Sequence, residues 1–430
     1  MAAVTGGTPA SRPRAGGLRL SLRAPQQHKL GLFEIGPEHK FYLLTCRLRA
    51  GLRAATQAAI DHPPAVSTPP APTGGPTQPP RGPAHPRASP PPQDTPCDGD
   101  CAAVLRQPHE VGAAGLPPRP PGRAAAHRVP PQGFELLTYA GPAFARLRRA
   151  LGLPEELYQA ALSSRYFQFV SNSKSKARFF LTQDKRFFLK TQTKQEMRFL
   201  LANLPRYLRH LEAFPHSLLV RLLGAHSIVV PRRRRAGAPA AALPCPQRYF
   251  TVMLSVFFPD EGILERYDIK GCRVDRWAEP ASAVVLKDLN FEGKSLVLGS
   301  QRPWLLRQLE LDSRLLEELR VLDYSLLLAV RPLLPDGLTA RSPVPCHVLQ
   351  GSGPSQNQRP QPGGSDPLHC IDGPQRRYSV GLVDLFSTYT FRRRLEHLWK
   401  RIRYRDGSFS TVPPAAYAQR LCRWVEAHSE

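Results

Sequence analysis

The sequence has no apolar run close to the roughly 18 to 20 residues that cross a bilayer. Its longest, FTVMLSVFF and YSLLLAV, have the length of a strand or a core helix. The chain therefore reads as soluble or peripheral. Acidic residues are also scarce: 34 Asp and Glu stand against 59 Lys and Arg, a formal net charge of +25, and none precedes Glu34. That balance favours an anionic partner, whether nucleic acid, phosphorylated ligand or acidic membrane. The N-terminal stretch lacks the apolar centre of a secretory signal. Its Arg and Ser content reads as a disordered basic tail, with a mitochondrial presequence as the alternative. The eight cysteines lack metal-site spacing: Cys97 and Cys101 lie in Pro-rich sequence without histidines at zinc distance. Free thiols of a reducing compartment are the expectation. There is no RNP-type aromatic motif, zinc spacing or basic-region heptad, so nucleic acid is not an expected partner.

Proline, by contrast, is abundant and unevenly placed. Of 47 prolines, 21 fall between Asp61 and Gly133. Such a stretch cannot bury enough apolar surface to fold and reads as a disordered linker, over 61–133. Before it, residues 1–60 form a basic segment in which HKFYLLTCRLRAGLRAATQAA makes one short strand or helix. From about Phe134 to the C-terminus the composition is that of a folded domain. Loops interrupt it at PRRRRAGAPAAALPCPQ and again from Pro332 to about Gln375. Helical periodicity marks FARLRRALGL, EMRFLLANLPRYLRHLEAF and PWLLRQLELDSRLLEELRVL. RFFLT, RFFLK, RYFTVMLSVFF, YSLLLAV and YSVGLVDLF read as strands. Strands segregated around helices, with hairpins early, predict an α+β fold of two lobes, divided near residue 258.

Four elements carry candidate chemistry. The hairpin ARFFLTQDKRFFLKT ends on Lys190, and the following helix start carries Glu196. A strand lysine with a helical glutamate is the pairing that positions phosphates in kinase-like sites. Asp323 stands at the entrance of YSLLLAV. Asp384 closes the apolar run YSVGLV, where a carboxylate is costly unless it meets a cation or a donor. Magnesium bridging ATP phosphates would supply that cation. The fourth element, FRRRLEHLWKRIRYR, holds seven Arg or Lys and one Glu from Phe391 to Arg405. Leu395, Trp399 and Ile402 recur at helical spacing, so it reads either as an amphipathic helix on an anionic membrane or as a solvated basic helix. The loop leading into the hairpin, SNSKSK, has no glycine, although loops that approach phosphates closely normally do.

Taken in order, these residues resemble the phosphatidylinositol phosphate kinase family. FELLTYAGPAFARLRRALGL is similar to its FKTYAP-type opening, FFLKTQTKQEMRFLLANLPRYL to its IIKT strand and following helix, YDIKGC to YDLKGS, LDYSLL to MDYSLL, and VGLVD to IGIID. The resemblance spans roughly Phe134 to the C-terminus. It implies a two-lobed lipid kinase fold with ATP and Mg2+ as cofactors. Lys190 would hold ATP phosphates, with Asp323 the catalytic aspartate and Asp384 the metal ligand. Asp268 and Lys270, in YDIKG, would belong to the active site. Ser173 and Lys176 fall where the family's phosphate loop carries glycines, which implies reduced activity. Arg393 and Arg394 match the basic pair of the lipid-reading activation segment. Glu396 matches the glutamate that distinguishes type I enzymes, and Lys400 falls in EHLWK, similar to the type I EHTWK. The implied substrate is phosphatidylinositol 4-phosphate, phosphorylated at the 5-hydroxyl on an anionic phosphoinositide membrane reached from the cytoplasm. Partners implied are a second copy or an active type I kinase, so that a catalytically weak scaffold is the competing function. SH3-type domains could bind the Pro-rich stretch. Arg198 stands where the family has an acidic residue, Cys272 where it has serine, and Asp260, Glu261 and Glu265 lie where it tends to be basic.

Overall fold

The structure is a computed structural model that describes residues 31–61, 106–111, 133–170, 177–230, 247–280, 284–333, 357, 368–386 and 412–430. In its first part the chain forms β1 (Gly31–Glu34), α1 (Tyr42–Asp61), β2 (Arg106–Val111), β3 (Phe134–Tyr139), α2 (Gly141–Ala150) and α3 (Glu155–Ser163). There follow β4 (Tyr166–Val170), β5 (Phe179–Thr182), β6 (Phe187–Gln192), α4 (Lys194–Ala213), β7 (Leu222–Val229) and β8 (Gln247–Leu254). The second part holds β9 (Glu265–Ile269), β10 (Leu286–Lys287), α5 (Arg302–Glu318), β11 (Ser325–Pro332), β12 (Cys370–Asp372), β13 (Arg376–Val383) and α6 (Pro414–Ala427). Two sheets result. The larger runs β1-β4-β5-β6-β8-β7-β3-β2 and the smaller β10-β9-β11-β13-β12. An α+β fold of two lobes is what the strand and helix patterns predict.

Local chemistry explains the elements. The ARFFLT and RFFLK runs pair as an antiparallel hairpin, Phe179 opposite Lys190, around the turn that the TQDK chemistry predicts. Helix α4 opens with a capping box: the Thr193 hydroxyl accepts from the Glu196 amide, and the Glu196 carboxylate accepts from the Thr193 amide at 2.7 Å. Its apolar positions Met197, Leu200, Leu204, Tyr207 and Leu211 are buried at helical spacing. A single apolar core runs from Leu48 and Leu52 of α1, through Phe187 and Leu254, to Leu328 and Leu421.

Three organisational expectations need correction. The strand or helix expected within HKFYLLTCRLRAGLRAATQAA is the helix α1, but with β1 paired antiparallel to β4 it belongs to the larger lobe, which begins before residue 134 and not at it. Arg106–Val111 lie inside the stretch read as a disordered linker, yet they pair with all of β3. Main-chain hydrogen bonding to an open sheet edge asks little of the sequence, and even Pro108 is tolerated on an edge strand. Likewise, Cys370–Asp372 fall within the predicted insert 332–375 and form β12 on the edge beside β13. The strand predicted from RYFTVMLSVFF stops at Leu254.

The lobes meet through backbone as well as side chains. Leu382 of β13 donates to the Leu218 carbonyl at 2.7 Å, and Val220 donates back to the Leu382 carbonyl at 2.8 Å. The segment joining α4 to β7 thus pairs with a strand of the smaller sheet.

Candidate active site

Strand direction brings the predicted residues together. Ile269 pairs with Leu326 and Leu326 with Leu382, so the C-terminal ends of β9 and β13 lie beside the start of β11. Lys270, Asp323 and Asp384 each stand just beyond these ends. Asp323 and Asp384 both have left-handed backbones, at φ 59° and 66°. That region is sparsely populated by residues other than glycine, though Asp is enriched in it, and such residues gather at functional sites. Lys190 comes from the other sheet, where β6 lies between β5 and β8. Its side chain is 8 % exposed, and its ammonium donates to Asp384 Oδ1 at 2.5 Å. The pair spans 194 residues of sequence and closes the gap between the lobes.

Glu196 does not join this pair. Its carboxylate is held by the Thr193 amide in the capping box, so the expected Lys190–Glu196 pairing gives way to Lys190–Asp384. Arg198, one turn into α4, is exposed on the helix surface.

Lys270 donates to the Asp323 carbonyl at 2.7 Å, which draws an ammonium group to the start of β11. Asp268 is fastened sideways by Arg276 at 2.8 Å. Burial works to raise the Asp268 carboxyl, but Arg276, then Lys270, outweigh it and hold the group below its ordinary range. Arg276 in turn bonds Asp288 at 2.6 Å. Burial disfavours its charge, but Asp268 and Asp288 more than reverse this and raise it. Asp288 is 3 % exposed and its Oδ1 accepts from the amides of Lys270, Gly271 and Cys272. This nest of donors shapes the YDIKG turn and aims Lys270. The glycine of that turn serves packing: at φ 67°, a side chain on Gly271 would meet the Arg420 carbonyl at 3.1 Å and Leu421 Cα at 3.2 Å. Cys272 contributes its amide and is buried, which pushes its thiol upward. Asp268 therefore acts in support of the site, behind Lys270.

Arg276 and Asp288 escaped the sequence reading. The signal for Asp288 was weaker: it follows the apolar run VVL, but with Lys287 between, where Asp384 follows its apolar run directly. Asp260 and Glu265 are already neutralised: Asp260 by Lys185 of the β5–β6 turn at 2.9 Å, and Glu265, at the start of β9, by Lys294 at 2.6 Å. Ser173 and Lys176 lie outside the described residues, as do Arg393, Arg394, Glu396 and Lys400.

A convergent Lys, two Asp and a second Lys suit phosphoryl transfer, in which positioning and charge neutralisation dominate. Comparison with known proteins agrees. The family model for phosphatidylinositol-4-phosphate 5-kinase matches residues 162–428. The chain belongs to the phosphatidylinositol-4-phosphate 5-kinase family. It is 48% identical over 421 residues to phosphatidylinositol 4-phosphate 5-kinase-like protein 1 of Homo sapiens, covering 94% of this chain and 91% of that protein. It is 44% identical to the protein of the same name from Mus musculus, over 96% of this chain and 93% of that one. The phosphatidylinositol 4-phosphate 5-kinase its3 of Schizosaccharomyces pombe is more distant, at 26% over 68% of this chain and 46% of its own length. Membership of this lipid kinase family implies ATP as phosphoryl donor, typically with a divalent metal.

The residues fit that group. Among the described residues no three His, Cys, Asp or Glu cluster closely enough to cage a metal. A hard divalent cation held by one carboxylate, water and substrate phosphates needs no such cage. Asp384, 35 % exposed and paired with a lysine, is the carboxylate that would hold such a cation. Lys190 would contact the phosphate oxygens of the nucleotide. Bound nucleotide would supply the transferable phosphoryl group, and the chain's own part is to hold its charge and orient the acceptor.

Proposed function

We propose that this chain is a type I-like phosphatidylinositol 4-phosphate 5-kinase of low intrinsic turnover, using ATP with Mg2+ to form the 4,5-bisphosphate. The single observation that supports it most is the Lys190–Asp384 pair at 2.5 Å, set beside Asp323 and Lys270 at one end of the smaller sheet. Lys190 would hold ATP phosphates, Asp384 the magnesium ion, and Asp323 the proton of the attacking hydroxyl. The excess of 25 positive charges and the basic run Phe391–Arg405 support an acidic membrane as the substrate surface, with Arg393, Arg394, Glu396 and Lys400 reading the lipid. Low turnover follows from SNSKSK. Any position there that needs φ > 0 carries a side chain, at about 1 kcal/mol, and displacement of phosphate by about 1 Å can cost on the order of a hundredfold.

The same loop favours a second reading, a weak or inactive kinase fold that binds active type I kinases and brings them to cytoplasmic membrane surfaces. Phosphorylation of phosphatidylinositol 4-phosphate vesicles by purified protein, beside its Asp384→Asn variant, separates the two. Turnover in the wild type alone, reduced by about 10²–10³ in the variant, supports the kinase. Equal, absent turnover in both, with vesicle binding intact, selects the scaffold.

A further inference from the structure

Behind the site, buried charge surrounds the segment that joins α4 to β7. Asp312 of α5 is 0 % exposed. One of its carboxylate oxygens accepts from the Leu218 amide at 2.6 Å. The other accepts from the Ser217 hydroxyl at 2.8 Å and the Gln308 amide at 3.1 Å, and meets His210 Nε2 of α4 at 2.6 Å. Arg221, also 0 % exposed, donates to the carbonyls of Pro215, Ser217 and Leu219. The peptides of one short segment thus point an N–H at the carboxylate and C=O groups at the guanidinium. Each buried charge is compensated by main-chain dipoles of the same few residues, which fixes their orientation. Tyr207 adds a third fastening: its hydroxyl donates to the Val220 carbonyl and accepts from the Leu222 amide.

The segment so held is the one that pairs with β13. Leu218 and Val220 exchange hydrogen bonds with Leu382, and Leu219 forms an isolated parallel bridge to it. Leu382 lies two residues before Asp384. Arg221 continues into the other lobe, its carbonyl accepting from Leu254 of β8, the strand beside Lys190. A path of hydrogen bonds joined by short stretches of main chain therefore runs from Asp312 to both halves of the Lys190–Asp384 pair.

We propose that Asp312 is a positioning residue for phosphoryl transfer, fixing the Lys190–Asp384 gap from behind through Leu218 and Leu382. This rests on the kinase reading above for its catalytic consequence, and on geometry alone for its structural one. Three variants test it: Asp312→Asn, in which an amide N–H2 replaces one accepting oxygen, and the milder Ser217→Ala and His210→Gln. Hydrogen exchange in full-length protein is the first readout. Asp312→Asn should speed exchange about tenfold in peptides covering 217–221 and 380–386, with α6 and β7 protected as before. Ser217→Ala should speed the same peptides by a smaller factor. Loss of protection spread evenly through both lobes would instead mean a merely structural carboxylate and overturn the proposal. So would unchanged exchange at 380–386. Should Asp312→Asn fail to fold, unchanged exchange there in both milder variants would overturn it equally.

The second readout is Mg-ATP binding and, where turnover exists, the KM for ATP. Asp312→Asn should weaken nucleotide by about tenfold while leaving the KM for lipid within twofold. A rise in both KM values together, or in neither, would overturn the positioning role. If the wild type binds no nucleotide, the kinase reading fails, and the local exchange pattern alone still decides whether Asp312 sets the gap.

Discussion

The two ionic groups at the active end of the smaller sheet are built on opposite plans. Asp268, Arg276 and Asp288 form a saturated cluster, each carboxylate meeting a guanidinium and Asp288 meeting three amides besides. Lys190 and Asp384 form one ion pair across the lobes, with the aspartate partly open to solvent and its backbone in a left-handed conformation. The first arrangement leaves nothing to exchange. The second can be opened, since phosphate and a cation would replace each partner for the other. Saturation suits support, and one ion pair open to replacement suits a pair that ligands would part.

Breaking the saturated cluster should have the largest effect on stability. Asp288→Ala leaves Arg276 with half its compensation and orphans the amides of Lys270, Gly271 and Cys272. Removing one partner of a buried charge pair typically costs about 3–5 kcal/mol. A fall in unfolding free energy of that size, read from urea titration, is expected. A shift below about 1 kcal/mol would show that the cluster is not structural support.

A smaller, pH-dependent effect comes from His369, immediately before β12 of the same sheet. Its Nδ1 donates to the Val380 carbonyl at 3.0 Å, and burial, then Arg221, push its pKa down to about 3. Below about pH 6.5 the unfolded chain takes up a proton that the folded one refuses. The stabilisation is therefore complete above pH 6.5 and is lost as pH falls from there towards 3. Its contribution should approach 1.4 kcal/mol per pH unit. Wild type and His369→Gln compared by urea unfolding at pH 6.5 and 4.5 should differ in slope by that amount. Parallel curves would mean that His369 is protonated in the folded protein.

On the side of the working pair, restoring glycines should sharpen the contrast. Ser173→Gly with Lys176→Gly removes two side chains from the loop leading into the hairpin. If crowding near phosphate limits turnover, the double variant should phosphorylate phosphatidylinositol 4-phosphate about tenfold faster, equivalent to about 1.4 kcal/mol. Equal or lower rates would locate the limitation elsewhere.

How far the sequence foretold this site depended on where information sits in a chain. Lys190, Asp323 and Asp384 were legible because each closes or opens an apolar strand pattern, and strand ends are local facts; Lys270 came only from the resemblance of YDIKG to a family motif. Their convergence needed the register of β9, β11 and β13, which periodicity does not carry. Arg106–Val111 was invisible because its partner supplies main-chain bonds rather than a side-chain pattern. Asp312 lies among helical residues and resembles any polar position until its distant partners, Ser217 and Leu218, are known. α1 was ambiguous because its mixed apolar, small and basic residues satisfy neither period strongly.

The smallest expected effect is the one that separates two kinds of glutamate. A strand lysine followed by a helical Glu suggests a partner, yet TKQE also spells a capping box, and the box is what forms. Glutamine completes that box as well as glutamate does. Glu196→Gln should therefore keep the Thr193 amide bonded, change stability by less than about 0.5 kcal/mol, and leave Mg-ATP binding within twofold. Thr193→Ala removes the cap itself and should cost about 1 kcal/mol of stability. If Glu196→Gln instead weakened nucleotide by tenfold with stability unchanged, the glutamate would have to reach Lys190 in the nucleotide-bound protein. The Lys190–Asp384 contact would then be one of two alternative pairings, exchanged as the lobes close.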